Sequence, residues 1–261
     1  MPTLHDDLGR RVHLERPPTR LVSLVPSLTE ALAATVPERL VGATDYCSHT
    51  GTVEPVRVRG TKNPDHAAIG RLAPDLVVAN REENRQVDVD RLAGAGIPVW
   101  VTVIDSLDDA FGSFRRLFGD VLGVAVPPWA VDAEREWSRP ADLPGVRTLA
   151  PIWRDPWMVV GPATFAGDVL QRLGLVNVGD GERERYPKRS LEQLTGLGPE
   201  LVLLPDEPYA FSATDGPEAF TGVATALVSG RNLTWYGPSL VSARRRLTDA
   251  VVDALGLPGG G

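Results

Sequence analysis

The side chains with the clearest chemical potential lie in one short stretch, TDYCSHT, at positions 44–50. It holds the only cysteine of the chain, Cys47, with His49 two positions later. A thiolate and an imidazole can bind a metal ion together, or can act as a nucleophile and its base. A third interpretation is that Asp45, Tyr46, Cys47 and His49 form a polar loop that contacts a ligand.

Each interpretation makes a different demand on the rest of the chain. A metal site needs three or four ligands, so Glu82 or His66 would have to join from other parts of the sequence. A nucleophilic pair needs the imidazole within hydrogen-bond reach of the thiol, which a spacing of two residues in a loop rarely provides. The stretch alone leaves the choice open, and the elements that position it narrow the choice.

Short apolar runs alternate with helix signals from residue 20 onward. The predicted strands are 20–25, 40–44, 76–79, 99–103, 146–153 and 157–161. The predicted helix starts are capping boxes at 27–30 and 190–193, Asn63 before Pro64, and Thr164. A mostly helical segment is predicted at 106–140, with a break near Gly123. This alternation predicts an α/β fold with mainly parallel sheets covered by helices.

A faint internal repeat relates the two halves of the chain. IGRLAPDLVVANREE at 69–83 aligns with LTGLGPELVLLPDEP at 194–208 at a constant offset of 125 positions. Each copy is typical of a helix end, a proline–acid turn, a buried strand and an acidic loop. The repeat predicts two βα lobes of similar plan, an N-terminal lobe at 1–105 and a C-terminal lobe at 146–261, joined by a connecting helical segment at 106–145.

Ligands of open parallel sheets bind beyond the carboxyl ends of the strands. The predicted first-lobe loops at that edge are polar and contribute Asp45, Tyr46, Cys47, His49, Lys62, Asn63, Asn80, Arg81, Glu82 and Glu83. The second-lobe loops are largely aromatic and contribute Trp153, Arg154, Trp157, Glu207, Tyr209, Trp235 and Tyr236. We predict that these residues bind one ligand in a cleft between the lobes, because aromatic rings supply contact area and polar loops fix orientation.

Composition excludes several classes of partner. The chain has 261 residues and a net charge of -7, which disfavours binding to nucleic acid or to an anionic membrane. One cysteine excludes an intrachain disulfide. The charged stretch MPTLHDDLGRRVHLERPPTR is unlike a secretory signal, and no run is apolar enough to cross a bilayer. We therefore expect a monomer located in the cytoplasm, unless a leader has been removed.

Seven segments of the chain resemble the helical-backbone (class III) periplasmic substrate-binding proteins of ATP-driven uptake systems, and their cobalamin-binding branch most of all. The segments are DDLGRRVHLERPPTRLVSLVPSLTEAL (6–32), LVGATDYCSHT (40–50), RGTKNPD (59–65), LAPDLVVAN (72–80), AGIPVWV (95–101), YPKRSLEQL (186–194) and WYGPSLVSA (235–243). The resemblance covers nearly the whole chain. It implies two α/β lobes joined by a rigid helix, with one ligand between them.

The resemblance also implies docking to a transporter through one acidic residue on each lobe. Glu192 matches the second-lobe position, whereas the first-lobe counterpart falls at Ala67, with only Asp65 nearby. The chain shows no lipid-anchor cysteine, and the segment before the second lobe is short and broken by prolines. These departures make transporter docking doubtful and leave the predicted cleft intact.

The sequence therefore predicts a soluble binding protein for a corrinoid-like compound, or for another organic molecule or metal chelate, with no required cofactor. Two alternatives stay open. One is a cytoplasmic enzyme on the same scaffold that uses Cys47, His49, Glu82 or Glu83 as acid, base or nucleophile. The other is a metal-ion binding protein that uses Cys47, His49 and a carboxylate.

Overall fold

The computed structural model describes residues 4–141, 143–179 and 184–258. The chain divides into two compact units. The first comprises the residues up to Ile104, together with Asp108–Val131 and Tyr236–Pro238. The second comprises Asp105–Leu107, Asp132–Trp235 and the chain from Ser239 onward. The predicted connecting segment at 106–145 therefore contributes residues to both units.

The first unit is built around a five-stranded parallel sheet. Its strands in chain order are β1 (Leu4–His5), β2 (Arg11–Val12), β3 (Leu21–Ser23), β4 (Leu40–Ala43), β5 (Val56–Arg57), β6 (Arg59–Gly60), β7 (Asn63–Pro64), β8 (Leu76–Asn80) and β9 (Val99–Thr102). Its helical segments are α1 (Pro26–Thr35), a 3-10 turn (Pro37–Arg39), α2 (His66–Arg71), α3 (Gln86–Gly94), and α4 (Leu107–Phe114), which continues as a π-helix (Arg115–Val121). The parallel sheet has the order β5-β4-β3-β8-β9, and β1-β2 and β6-β7 are short antiparallel pairs.

The helix α5 (Pro128–Trp137) begins in the first unit and ends in the second. The strands that follow are β10 (Arg147–Leu149), β11 (Pro151–Trp153), β12 (Met158–Val159), β13 (Val176–Asn177), β14 (Leu201–Pro205) and β15 (Ala224–Val228). The helical segments are α6 (Phe165–Leu173), α7 (Leu191–Gly196), a 3-10 turn (Pro217–Ala219), α8 (Gly230–Thr234) and α9 (Leu240–Leu255). The parallel sheet here has the order β13-β10-β14-β15, and β11-β12 is an antiparallel hairpin.

The two sheets repeat one plan. Apart from β5, each parallel sheet has four strands. The first of the four along the chain lies between the second and the third, and the fourth lies beside the third, so β4-β3-β8-β9 corresponds to β13-β10-β14-β15. The bounds of α2 and α7, and those of β8 and β14, all lie 125 residues apart. Every residue of β8 and of β14 is buried, which explains why both read as unbroken apolar runs in the sequence. The predicted fold of two like-built α/β lobes is confirmed.

The proline–acid turn of the repeat has the same structural role in both units. The Arg20 guanidinium donates to a carbonyl of the first turn at 2.7 Å, and the Asp75 carboxylate accepts the backbone N–H of Arg20 at 3.1 Å. In the second unit, Arg147 donates to a turn carbonyl at 3.0 Å, and Glu200 accepts the backbone N–H of Arg147 at 2.9 Å. Each arginine thus fastens the start of a central strand to the turn before its neighbour.

Two predicted helix starts were wrong. The first helix begins at Pro26, with Val25 as N-cap and no side-chain cap, because proline suits the first helical turn and places Ser27 inside it. Asn63 lies in β7, and the cap of α2 is Asp65, whose carboxylate accepts the N–H of Ala68 at 2.9 Å.

Two other predicted starts are confirmed. Thr164 caps α6 through its side chain, and Ser190 forms a reciprocal capping box with Gln193. The predicted strand at 146–153 is two strands, β10 and β11, which belong to different sheets.

Candidate functional site

Most of the residues that the sequence singled out lie in loops that follow parallel strands or at the tips of two short hairpins. In the first unit these are the loops 44–50 and 80–85 after β4 and β8 and the β6-β7 tip 61–63, which we call the first rim. In the second unit they are the β11-β12 tip 153–157 and the loop 206–218 after β14, which we call the second rim.

A buried asparagine joins the loops of the first rim. The side-chain amide of Asn84 donates to the carbonyl of Leu24 at 3.1 Å and to that of Thr61 at 3.0 Å. Its oxygen accepts the backbone N–H of Asn80 at 2.9 Å. Asn84 is only 5 % exposed; its hydrogen bonds to Leu24 and Asn80 are buried, and the one to Thr61 is partly buried. One side chain thus fixes the ends of β3 and β8 and the tip of the β6-β7 hairpin.

Asn80 shapes the loop that follows β8. Its side-chain oxygen accepts the backbone N–H groups of Glu82 at 2.8 Å and Glu83 at 3.3 Å, while its amide donates to the Thr102 hydroxyl at 3.1 Å. This is the local turn that asparagine favours. Asn80 is buried, and its contacts are those of a loop support.

Lys62 links the hairpin to the same loop by donating from its ammonium group to the carbonyl of Glu82. Burial raises the pKa of the Glu83 carboxyl, an effect that the charge of Lys62 opposes and that of Glu82 adds to. Lys62 and Arg81 are exposed, and Glu82 is partly buried. The first rim therefore presents mixed charge on a firmly held backbone.

Cys47 lies inside the first unit, fully buried. Its sulfur is 3.0 Å from the Thr29 hydroxyl and 3.1 Å from the Thr44 hydroxyl, and Arg57 donates to the Cys47 carbonyl at 2.8 Å. Burial raises the pKa of the thiol, which the two threonine hydrogen bonds oppose. A buried, protonated thiol is the poor form of a nucleophile, so the geometry favours a supporting role for this cysteine.

The neighbours of Cys47 have different surroundings. Asp45, Tyr46 and His49 are exposed, Tyr46 to 67 %, and the His49 Nδ1 lies 3.0 Å from the Ser48 hydroxyl. Across the part of the chain that the structure describes, no three His, Cys, Asp or Glu side chains come together in a way that could hold a metal ion. The structure therefore adds no support to the metal-ion hypothesis.

An unbroken series of aromatic contacts runs through the second rim. Trp153 meets the ring of Tyr209 edge-on at 5.8 Å, and Tyr209 lies 4.6 Å from Phe211. Phe211 in turn stacks on Trp157 at 5.9 Å. The series changes from exposed to buried along its length, since Trp153 is 43 % exposed and Trp157 only 8 %. Trp157 belongs to the core of the second unit, and Trp153 is the ring that meets solvent.

A charged group fastens the second rim. Arg154 pairs with the carboxylates of Asp215 and Glu218, and its guanidinium lies 5.3 Å from the centre of the Trp157 ring. The hydroxyl of Tyr209 donates to Asp215 at 2.7 Å. Hydrogen bonding to Arg154 lowers the pKa of Glu218. The β11-β12 hairpin and the loop after β14 are thereby tied together by charge as well as by ring contacts.

The remaining predicted residues occupy varied positions. Glu207 and Trp235 are partly buried, and Tyr236 is buried and counts with the first unit. Asn63 is exposed on the β6-β7 hairpin. Glu192 is exposed in the first turn of α7, and the position 125 residues earlier, in α2, is Ala67.

Three structural residues escaped prediction. Asn84 lies in the polar run 80–85, whose composition also fits a solvated helix start, so its buried contacts gave no local signal. Arg57 contacts a loop 10 residues earlier in the chain, and Asp215 contacts Arg154 61 residues away, and no spacing rule connects either residue to its partner.

The chain is similar to known binding proteins over nearly its whole length. The vitamin B12-binding protein of Pectobacterium carotovorum subsp. carotovorum (strain PC1) is 25% identical over 247 residues, which cover 88% of this chain and 87% of that protein. The periplasmic vitamin B12 binding protein BtuF of Vibrio cholerae has a TM-score of 0.75 at 18% identity, covering 91% of this chain and 98% of BtuF. No protein-family model matches the chain.

A second solved structure shares the fold. The periplasmic heme-binding protein BhuT, in complex with two hemes, has a TM-score of 0.75 at 22% identity and covers 90% of this chain and 98% of its own. The chain is therefore similar in sequence to vitamin B12-binding proteins and has the fold of periplasmic binding proteins such as BtuF and BhuT. The resemblance predicted from the seven sequence segments is confirmed. No helix among the described residues has both the length and the apolarity needed to span a membrane.

Proposed function

We propose that this chain binds a corrinoid-like ligand, or a metal chelate of similar size and flatness, through the aromatic loops of the second rim. The observation that carries the proposal is the exposed ring of Trp153 in the β11-β12 hairpin, held edge-on against Tyr209 of the loop after β14. Large rings on a fixed support give contact area at a small cost in side-chain entropy. The B12-binding and heme-binding relatives support a ligand of this class.

The two rims have different tasks in this proposal. The second rim supplies apolar contact through Trp153 and Tyr209, while the exposed Lys62 and Arg81 make the first rim a separate polar surface that suits the charged groups of such a ligand. Three buried residues, Asn80, Asn84 and Cys47, support the loops of the first rim and are not exposed to a ligand. Binding needs no chemical step, so affinity follows from buried area and specificity from the polar contacts.

Titration with cyanocobalamin and with hemin, followed by the visible spectra of the ligands, tests the proposal. We expect a saturable spectral change at micromolar ligand, which the variant Trp153→Ala weakens by about tenfold or more. Val241→Ala is the matched control, because Val241 is an apolar residue of similar exposure on α9. Absence of binding by the parent protein to both compounds would refute the proposal.

Docking to a transporter and location in the cytoplasm are separate parts of the proposal. A docked complex would use Glu192, while Ala67 leaves the first unit without an acidic side chain at the equivalent position. We propose that the protein is a monomer that works without a transporter. Co-purification from membranes, sedimentation and cell fractionation test this, and recovery with a transporter from the periplasmic fraction would contradict it.

A further inference from the structure

We propose that Asp215 is a positioning residue that sets Trp153 and Tyr209 into one aromatic surface before the ligand arrives. This inference rests on the proposed function, because it concerns how the same rim is prepared for binding. Asp215 lies in the loop between Phe211 and Gly216, beyond the strand-end positions that the sequence analysis selected.

The two oxygens of the Asp215 carboxylate serve two different elements. Oδ2 accepts the hydroxyl of Tyr209 at 2.7 Å, and Oδ1 accepts the guanidinium of Arg154. Tyr209 belongs to the loop after β14, whereas Arg154 follows β11 in the hairpin. One side chain therefore joins the two segments that carry the rings.

This division of partners fixes both members of the ring pair. Asp215 holds Tyr209 directly and so fixes the position of the far end of its side chain. It acts on Trp153 through the neighbouring residue Arg154, which Glu218 also holds. Asp215 is therefore the one carboxylate that contacts both segments of the ring pair, whose centres lie 5.8 Å apart with an interplanar angle of 75°.

The loop around Asp215 is itself held, so the carboxylate is a fixed point. The backbone N–H of Asp215 donates to the Ser212 carbonyl at 3.2 Å, and the N–H of Ser212 donates to the Asp215 carbonyl at 3.0 Å. The next residue, Gly216, donates its N–H to Glu218 at 2.6 Å. The hydrogen bond to Asp215 also raises the pKa of Tyr209.

The test uses protein labelled with 5-fluorotryptophan and observed by fluorine NMR. The chain has six tryptophans, and the Trp153 resonance is assigned by its loss in Trp153→Phe. We expect Asp215→Ala and Tyr209→Phe each to shift this resonance, and the double variant to shift it no further than Asp215→Ala alone, because Asp215→Ala already removes the hydrogen bond to Tyr209 along with the contact to Arg154. Asp215→Asn, which keeps an acceptor for Tyr209, should give an intermediate shift. Asp249→Ala on α9 is the control for loss of an exposed carboxylate.

Two results would overturn the inference at this level. One is a Trp153 resonance that stays in place in Asp215→Ala. The other is an equal shift of the buried tryptophans Trp100 and Trp137, which would mean general loosening.

Ligand titration separates this inference from the proposed function. With cyanocobalamin as the probe, we expect Asp215→Ala to weaken binding by about 2- to 10-fold, the range expected for loss of one aromatic pairing. A shifted Trp153 resonance with unchanged affinity would overturn the role of Asp215 in binding. If the parent protein fails to bind the probe, the proposed function fails, while the NMR result still decides whether Asp215 sets the rings.

Discussion

Replacing Asn84 with aspartate is the most informative perturbation of the first rim. The two side chains have nearly the same shape, so packing is preserved. The aspartate keeps an oxygen that accepts the backbone N–H of Asn80, but it loses the amide that donates to the carbonyls of Leu24 and Thr61. The new carboxylate also faces two carbonyl oxygens in a place that is shielded from water.

The magnitude follows from the number and burial of these bonds. A buried acceptor left without a donor costs about 1–3 kcal/mol. Leu24 is fully buried, while Thr61 is partly exposed and can recover part of its loss from water. We therefore expect Asn84→Asp to lower the free energy of unfolding by about 2–4 kcal/mol.

Urea unfolding measures the total effect, and hydrogen exchange locates it. Peptides covering 59–64 and 80–85 should exchange faster in Asn84→Asp, because the hairpin and the loop after β8 lose their common link. Asn63→Asp is the matched control, since Asn63 is exposed on the same hairpin, and it should change stability by no more than about 0.5 kcal/mol. If Asn84→Asp is as stable as this control and exchanges like the parent, the rim is held by other contacts and the reasoning is wrong.

Further predictions concern groups with unusual surroundings. Burial raises the pKa of the Glu83 carboxyl, so the folded protein binds the proton of this group more tightly than the unfolded chain does. The protonated carboxyl should therefore stabilise the fold at low pH, and this stabilisation should be lost as the pH rises above the ordinary pKa of 4.5. In urea titrations at several pH values, Glu83→Gln should make the free energy of unfolding less dependent on pH in this range. The pKa of Glu218 shifts the opposite way, because the hydrogen bond to Arg154 lowers it. The parent protein should therefore lose stability as the pH falls below 4.5, and Glu218→Gln should lose less over the same pH range. Cys47 should react with a maleimide at least about 100-fold more slowly in the native protein than in urea, since access requires opening of the structure, and equal rates would contradict its burial. Arg244 is 1 % exposed, donates to two carbonyls that follow α5, and its guanidinium lies 6.0 Å from the centre of the Trp137 ring. We expect Arg244→Ala to lower the free energy of unfolding in urea by about 2–4 kcal/mol. An unchanged stability would show that these contacts are replaceable.

Much of the fold could be predicted because its signals are local. The buried strands β8 and β14 are continuous apolar runs, and the capping box at Ser190 depends on residues three positions apart. The capping box predicted at Ser27 was wrong because a competing local signal, Pro26, set the helix start two residues earlier. Sequence patterns therefore predict strands and helix starts well where a single local signal, such as one capping box, is present.

The candidate site was predicted in outline only. Parallel strands bring their carboxyl ends to one edge, so the loops of each rim could be selected from strand order alone. Which side chains in those loops meet solvent could not be selected in this way. Trp153 and Trp157 lie four residues apart in one hairpin, yet the first is exposed and the second is part of the core.

The sequence by itself determined the two like-built halves and their parallel sheets, because period, capping and turn chemistry act over a few residues. Only the tertiary structure decided that Cys47 is enclosed by Thr29 and Thr44, that Asn84 joins three loops and that Asp215 contacts both Tyr209 and Arg154. Thr61 and Asn84 are 23 residues apart, and Arg154 and Asp215 are 61 apart. Such pairs meet only when the chain packs, so burial and hydrogen-bond partners at that range are properties of the whole fold.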